Sequence, residues 1–440
     1  MMEEKQQKLS LKREVGLVGA VSLIAGTMIG SGIFMSPQTV ISSIGSSGAS
    51  LVLWASCGLL VILVSFCYAE LGTVIQESGG EYIYILRTSG PVMAFTLAFS
   101  SILFVRPAGV AGISLSFAQY VVAPFYPECP PPVFVVKCVA AVAILVLAIV
   151  NCMNVRFSMS VQVFFMVAKV VALGIIVVGG VVMLAKGNAE SFQNSFENSN
   201  VGIHPIGIAF YQGLWSYDGW NNLNYVTEEL KRPEVRIRLI RFVNLPRALV
   251  IAISLVTGLY LLVNVSYLTV MTPNELMSST AVAVTWGNIS PSGTRCWEAG
   301  SALWLPGRVT WYLLSISLKH KHLFTIKVTF RVSSTTSAWF FYAVTLSGLI
   351  YLKIKKPELP RPYSVPIVLP ILILLVAIFL VLAPIIDQPQ IEYLYVALFI
   401  LSGAIVYVPF IHFKLCPGMF DKVTTFLQLF LEVAPAEKNL

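Results

Sequence analysis

The chain is poor in charge. Of its 440 residues only 11% are Asp, Glu, Lys or Arg, while 57% are hydrophobic; a soluble domain carries about 25% charged residues. Too few polar side chains remain to clothe a water-soluble surface, which excludes an ordinary globular enzyme. Histidine is scarce, with four in the chain, and the seven cysteines, at 57, 67, 129, 138, 152, 296 and 416, fit no zinc spacing. There is no Walker loop, nucleophile elbow, zinc motif or plausible triad, so the sequence implies neither a cofactor nor catalysis. A cleavable signal is also lacking, because Met1 to Arg13 are polar and basic and the first apolar run is too long for a signal peptide's core. The net charge of +8 does not point to nucleic acid, since the basic residues gather in loops beside apolar runs.

What is present is long apolar runs, and the mean hydropathy is +0.80. They predict ten membrane-spanning helices, at 15–41, 50–71, 92–124, 133–150, 160–185, 203–226, 246–271, 334–352, 364–386 and 392–413. Ten spans place both termini on one side. Lys5, Lys8, Lys12 and Arg13 before the first span, Lys231 to Arg247 after the sixth, and Lys353, Lys355, Lys356 and Arg361 after the eighth then all face the cytoplasm, as the positive-inside rule requires. The predicted organisation is a cytoplasmic tail (1–13), seven spans (14–271), an extracellular irregular segment (272–333), three spans (334–413) and a second cytoplasmic tail (414–440). Within the irregular segment the weak apolar piece Leu303–Leu318 is interrupted by Pro306, Gly307 and Arg308. If it spanned, the Lys353–Arg361 cluster would face outward.

Two spans carry interruptions. In the first, Gly26-Thr27-Met-Ile-Gly30-Ser31-Gly32-Ile33-Phe34 holds three glycines in nine residues, and glycine costs a helix about 1 kcal/mol relative to alanine. A break there turns the N–H groups of Ser31, Gly32 and Ile33 toward the membrane midplane, where a helix N-terminus suits a carboxylate. Close helix packing through small residues is the alternative. In the sixth, Gly213-Leu-Trp215-Ser-Tyr-Asp218-Gly-Trp220 is the matching interruption. Two broken spans five apart point to a transporter built from inverted five-helix repeats, with its site at the repeat interface. Carbonyls freed in the sixth span would accept from an α-ammonium while the first span's amides hold the carboxylate, gripping the head common to all amino acids.

Ionisable residues inside spans are expensive and functional by default. Asp218 is placed to pair with a cationic side chain, Arg106 to attract an anionic or dipolar one, and Lys169 to stand where a coupling sodium ion would sit. A buried structural ion pair, Arg106 with Asp218, is the alternative. Trp215 reads as a stacking lid, or as packing. Cys129, in the proline-stiffened Phe-Tyr-Pro-Glu-Cys129-Pro loop, suggests an intermolecular disulfide, or an internal bridge to Cys296.

These residues resemble the light chains of heteromeric amino acid transporters, in the amino acid–polyamine–organocation superfamily. The Gly26–Phe34 stretch is similar to that family's broken first span, and Cys67-Tyr-Ala-Glu70-Leu-Gly, Ser78-Gly-Gly-Glu81-Tyr and Val226-Thr-Glu228-Glu229-Leu match its other recurrent blocks. The likeness covers residues 10–288 and 335–435. Trp215-Ser-Tyr-Asp218-Gly-Trp-Asn and Glu392-Tyr-Leu-Tyr resemble the b-zero-plus branch, which carries cationic and neutral amino acids and cystine. Val-Arg106-Pro-Ala resembles the branch that exchanges cystine for glutamate.

The resemblance implies twelve helices, sodium-independent exchange at the plasma membrane, and a single-span glycoprotein heavy chain linked through the position of Cys129. Lys169 matches the family's lysine in the fifth span. The expected substrate-binding set is Thr27, Ser31, Gly32, Ile33, Arg106, Trp215 and Asp218, with amino acids and membrane lipid as further partners and no nucleic acid. The sequence departs from the family in two places. Family spans eight and nine have no counterpart between Ile289 and Ser334, and Arg236 to Val243 looks like an insertion. Removing two spans keeps the last three in orientation. A transport-inactive isoform that only binds the heavy chain is therefore a third reading.

Overall fold

The computed structural model describes residues 17–75, 77, 79–122, 132–153, 155–229, 234–237, 240–279, 282–289, 321–387 and 391–413. The described chain is almost wholly helical. In the membrane's hydrocarbon every backbone polar group must be satisfied within the protein, and helices do this locally.

Helices α1 (Leu17–Met28) and α2 (Gly32–Ile44) form the first span, bent by 52° at the three residues between them. The second span is α3 (Ser47–Val74), followed by the short α4 (Glu81–Thr88). The third is α5 (Pro91–Ser100), a π turn at Ser101–Val105, and α6 (Arg106–Val122). Then come α7 (Val133–Met153) and α8 (Val155–Ala185). The sixth is α9 (Ile203–Ser216) continued, after a break, by a 3₁₀ helix at Trp220–Glu229. α10 (Asn244–Val270) is the seventh span, with the short α11 (Pro273–Ser278) and α12 (Val282–Ile289) beyond it. The last three are α13 (Lys321–Lys355), α14 (Val368–Asp387) and α15 (Ile391–Tyr407). Six of these spans are long and apolar enough to cross by themselves, the bent α1–α2 pair makes a seventh, and α14 and α15 are shorter apolar helices.

The positions follow the apolar runs closely, with two corrections. Residues 321–333, expected to be irregular, form the first turns of α13; their lysines and threonines deny them hydropathy but do not forbid a helix. The same segment also contains α11 and α12. Residues Arg236–Val243 contribute to a two-stranded hairpin, β1 (Glu234–Ile237) antiparallel to β2 (Ile240–Val243), with Glu234 opposite Val243. The predicted tails, Cys129, Cys296 and Leu303–Leu318 lie outside the described residues.

One large core joins α1, α2, α3, α9 and α10 with α13 and α14, so both interrupted spans run through its middle. Smaller clusters join α6 to α7, through Ala118 and Ala140, and α4 and α5 to α13, through Ile85, Leu97 and Phe341.

Two polar seams close the ends of this core. Along the first, the segment 186–200 is stitched to the junction of α2 and α3. Gly48 donates to the Ser195 carbonyl and Ser47 to that of Ser191, each at 2.7 Å, while Asn200 donates to the carbonyl of Ile44 at 2.7 Å. At the other, the fully buried carboxylate of Glu70 meets Lys353 at 2.7 Å and Arg361 at 3.4 Å, and accepts from the Val365 amide at 2.9 Å. Arg361 also donates to the carbonyls of Leu352, Lys356, Pro357 and Leu359, capping the C-terminus of α13. Sequence reasoning used Lys353 and Arg361 for orientation alone, yet both are built into the fold.

Candidate functional site

The two breaks touch. A Cβ added to Gly32 would lie 2.6 Å from the Cα of Ser216, so the start of α2 approaches the end of α9 at a distance only glycine permits. On the other side of the α1 break, the Thr27 hydroxyl lies 3.2 Å from the Gly219 carbonyl, and 2.9 Å from the carbonyls of both Leu23 and Ile24 in its own helix. The first turn of α2 has no carbonyls of its own helix to bond, and its Gly32 and Ile33 are buried beside the half-buried Ser31. The N-terminus of α2 thus lies where the two broken spans meet.

The freed carbonyls are less vacant than the sequence implied. Tyr260 of α10 places its hydroxyl 2.7 Å from the carbonyl of Met28 and 2.9 Å from that of Ser216, within bonding distance of both breaks at once. The ammonium of Lys169, from α8, lies 3.4 Å from the carbonyl of Ile29. Tyr217 and Asp218 turn their amides back onto α9, to the carbonyls of Leu214 and Trp215. Tyr260 was not foreseen. It sits in an uninterrupted apolar run, and its signal, a hydroxyl in mid-span, becomes legible only when the breaks are known.

Asp218 accepts from the amide of Gly219 at 2.9 Å and is exposed, although Ser216, Tyr217 and Trp220 around it are buried. Among the described residues, Asp218 is thus the exposed member of a largely buried turn, as Thr27 is exposed on α1. Trp215, on the last turn of α9, is half-buried. Arg106 begins α6 directly after the π turn, a distortion that often marks functional positions. No ion pair joins it to Asp218 among the described residues, which removes the paired-charge alternative; its field nevertheless reaches Glu81 and Asp218. Thr27, Ser31, Gly32, Ile33, Lys169 and Asp218 lie on or beside the two breaks, and Arg106, on the third span, is near enough for its charge to act on Asp218.

Aromatic rings enclose the lower part of this region. Tyr68 packs edge-on against Trp220, with centroids 4.8 Å apart, and against Tyr342 at 5.9 Å, while Trp220 and Tyr342 are 5.7 Å apart. Among the described residues no group of His, Cys, Asp and Glu is arranged to hold a metal ion. On α8, Val163 to Val167 are exposed, one turn before Lys169, although Met166 reaches α1 at Gly26, where an added Cβ would lie 3.0 Å from its methyl.

Among the described residues, seven apolar spans, counting the bent α1–α2 pair as one, and two breaks that meet inside the bundle define a polytopic membrane protein. The amino acid permease family model matches residues 15–290. The chain is 41% identical to the b(0,+)-type amino acid transporter 1 of Homo sapiens, covering all of this chain and 96% of that protein. It is 35% identical to the human cystine/glutamate transporter, over 99% of this chain and 93% of the other. To the large neutral amino acids transporter small subunit 2 of Mus musculus it is likewise 35% identical, over 94% and 84%. The chain belongs to the amino acid permease family and is a multi-pass membrane protein of amino acid transport.

Proposed function

We propose that the chain is a sodium-independent exchanger of the plasma membrane that carries cationic and neutral L-amino acids and cystine. The observation that carries this reading is the meeting of Gly32 with Ser216 and of Thr27 with Gly219, beside an exposed Asp218. A bound amino acid would set its carboxylate on the amides of Ser31, Gly32 and Ile33. Its ammonium would go to the carbonyls around residues 216–219, and a cationic side chain would reach Asp218. Trp215 would close over the substrate. Lys169, whose charge already rests on the break, would fill the place of a coupling cation. Both termini would lie in the cytoplasm, and Cys129 would link the chain to a single-span heavy chain.

Purified chain reconstituted into liposomes loaded with amino acid tests this directly. Counterflow of labelled cationic and neutral amino acids without sodium is the expected result. Its absence would favour the isoform that only binds the heavy chain, a reading drawn from the lack of counterparts to family spans eight and nine between Ile289 and Ser334. A second substrate reading, cystine/glutamate exchange, draws on the exposed Arg106 at the head of α6. Glutamate uptake that survives Arg106→Ala unchanged would remove it.

A further inference from the structure

The Ser78-Gly79-Gly80-Glu81-Tyr82 block has no part in the grip just described. α4 begins at its Glu81. Gly80 has φ of +54°, and a Cβ there would lie 3.0 Å from the ring of Tyr225. Glu81 is buried and accepts a 2.6 Å hydrogen bond from the amide of Asn221. One turn later the Tyr84 hydroxyl donates to Oδ1 of Asn224 at 3.2 Å. Gly72 of α3 leaves room for this second bond, since a Cβ there would lie 3.0 Å from the Tyr84 oxygen. Tyr225, Asn221 and Asn224 all belong to the 3₁₀ helix at Trp220–Glu229.

That helix needs outside support. Its ten residues exceed the three or four that 3₁₀ geometry ordinarily sustains, because its hydrogen bonds align poorly. It starts directly after Gly219, whose carbonyl faces Thr27, and two residues after Asp218.

We infer that α4 is a dock for the second half of the broken sixth span, with Glu81, through Asn221, fixing where the 220–229 helix sits and hence where Asp218 and the Gly219 carbonyl meet a bound amino acid. Glu81 is a positioning residue and touches no substrate. Asp218 distinguishes substrates by side-chain charge, so its loss selects against cationic ones. A shift of the whole 220–229 helix moves one wall of the site for every substrate. The effect on transport rests on the amino acid exchange reading; the structural claim does not.

The test compares Glu81→Ala, Asn221→Ala, their double variant and Glu81→Gln in the full chain. Hydrogen–deuterium exchange is followed across residues 220–229, and uptake of one neutral and one cationic amino acid is measured. Each alanine variant should speed exchange about tenfold, the size of one buried hydrogen bond. The double variant should add nothing to either. Glu81→Gln, whose amide oxygen still accepts from Asn221, should stay near the parent. In uptake, KM should rise by one factor for both substrates with the maximal rate unchanged.

Alanine effects that multiply in the double variant would overturn the dock, as would unchanged exchange across 220–229 or a Glu81→Gln variant as disturbed as Glu81→Ala. If exchange behaves as expected while even the parent chain takes up no amino acid, the dock stands and the transport reading falls. Should Glu81→Ala fail to fold, Asn221→Ala set against Glu81→Gln makes the same comparison from the other side of the bond.

Discussion

The ammonium of Lys353 lies 2.7 Å from the carboxylate of Glu70, with side chains 9% and 0% exposed. Removing one partner of such a buried pair leaves the other uncompensated, at a cost of about 3–5 kcal/mol. Glu70→Ala, which strands both Lys353 and Arg361, should therefore lower the melting temperature of the purified protein well below that of Lys355→Ala, whose parent residue is exposed. Equal melting temperatures for the two variants would mean that the seam contributes nothing.

Tyr260 ties α10 to both breaks. Tyr260→Phe keeps the ring against Trp54 and Tyr217 but removes the hydroxyl that reaches the carbonyls of Met28 and Ser216. Affinity for neutral and cationic substrates should fall together, by about tenfold for one lost hydrogen bond. Uptake kinetics at several concentrations check this, and an unchanged KM for both would show that the breaks hold their shape without the tether.

Asp218→Asn should behave differently. It keeps a group able to accept from the Gly219 amide but loses the charge, so cationic uptake should drop far more than neutral uptake. Equal loss of both, measured side by side in the same vesicles, would take Asp218 out of substrate selection.

The spans and the break positions were legible in the sequence because both are local properties. Apolar runs report the one, and Gly26–Phe34 with Gly213–Asp218 report the other. What escaped was non-local. Glu81 and Asn221 are 140 residues apart, and Tyr260 is 232 from Met28, so no spacing rule joins them. The pairing of Lys353 and Arg361 with Glu70 was not legible, because a loop cation and a buried one look alike in sequence. Residues 321–333 were lost because hydropathy measures membrane affinity, and a polar helix has little.

Gly32→Ala should abolish transport. The added methyl would meet the Cα of Ser216 at 2.6 Å, and backbone cannot rotate away as a side chain can. Surface labelling separates the outcomes: delivered but inactive protein is expected, and normal uptake would mean that α2 and α9 have room to part.

Glu81 should make stability depend on pH. It lies on α4, between the second and third spans, and burial raises its carboxyl from 4.5 to about 7; the nearby Asp218 adds to the rise, while Asn221, Arg106 and Tyr68 oppose it. Because the folded value is the higher one, the folded protein holds this proton more tightly. The contribution to stability is therefore complete below 4.5 and disappears as pH rises through about 7. The melting temperature should fall between about pH 5 and about pH 8, and Glu81→Gln should flatten that slope. A slope unchanged in the variant would assign the dependence to other groups.

A phenol carries a single proton, and Tyr260 stands between two acceptors. Whenever that proton serves Met28, the oxygen of Ser216 goes unserved, and the reverse holds when it turns. On the exchange reading, an arriving ammonium would find one of these two oxygens without the phenol's proton. On its departure the tyrosine would return to that oxygen by rotating its hydroxyl about one bond. One hydroxyl shared between two breaks would leave neither oxygen permanently tied, a condition well suited to a carrier that must release whatever it takes up.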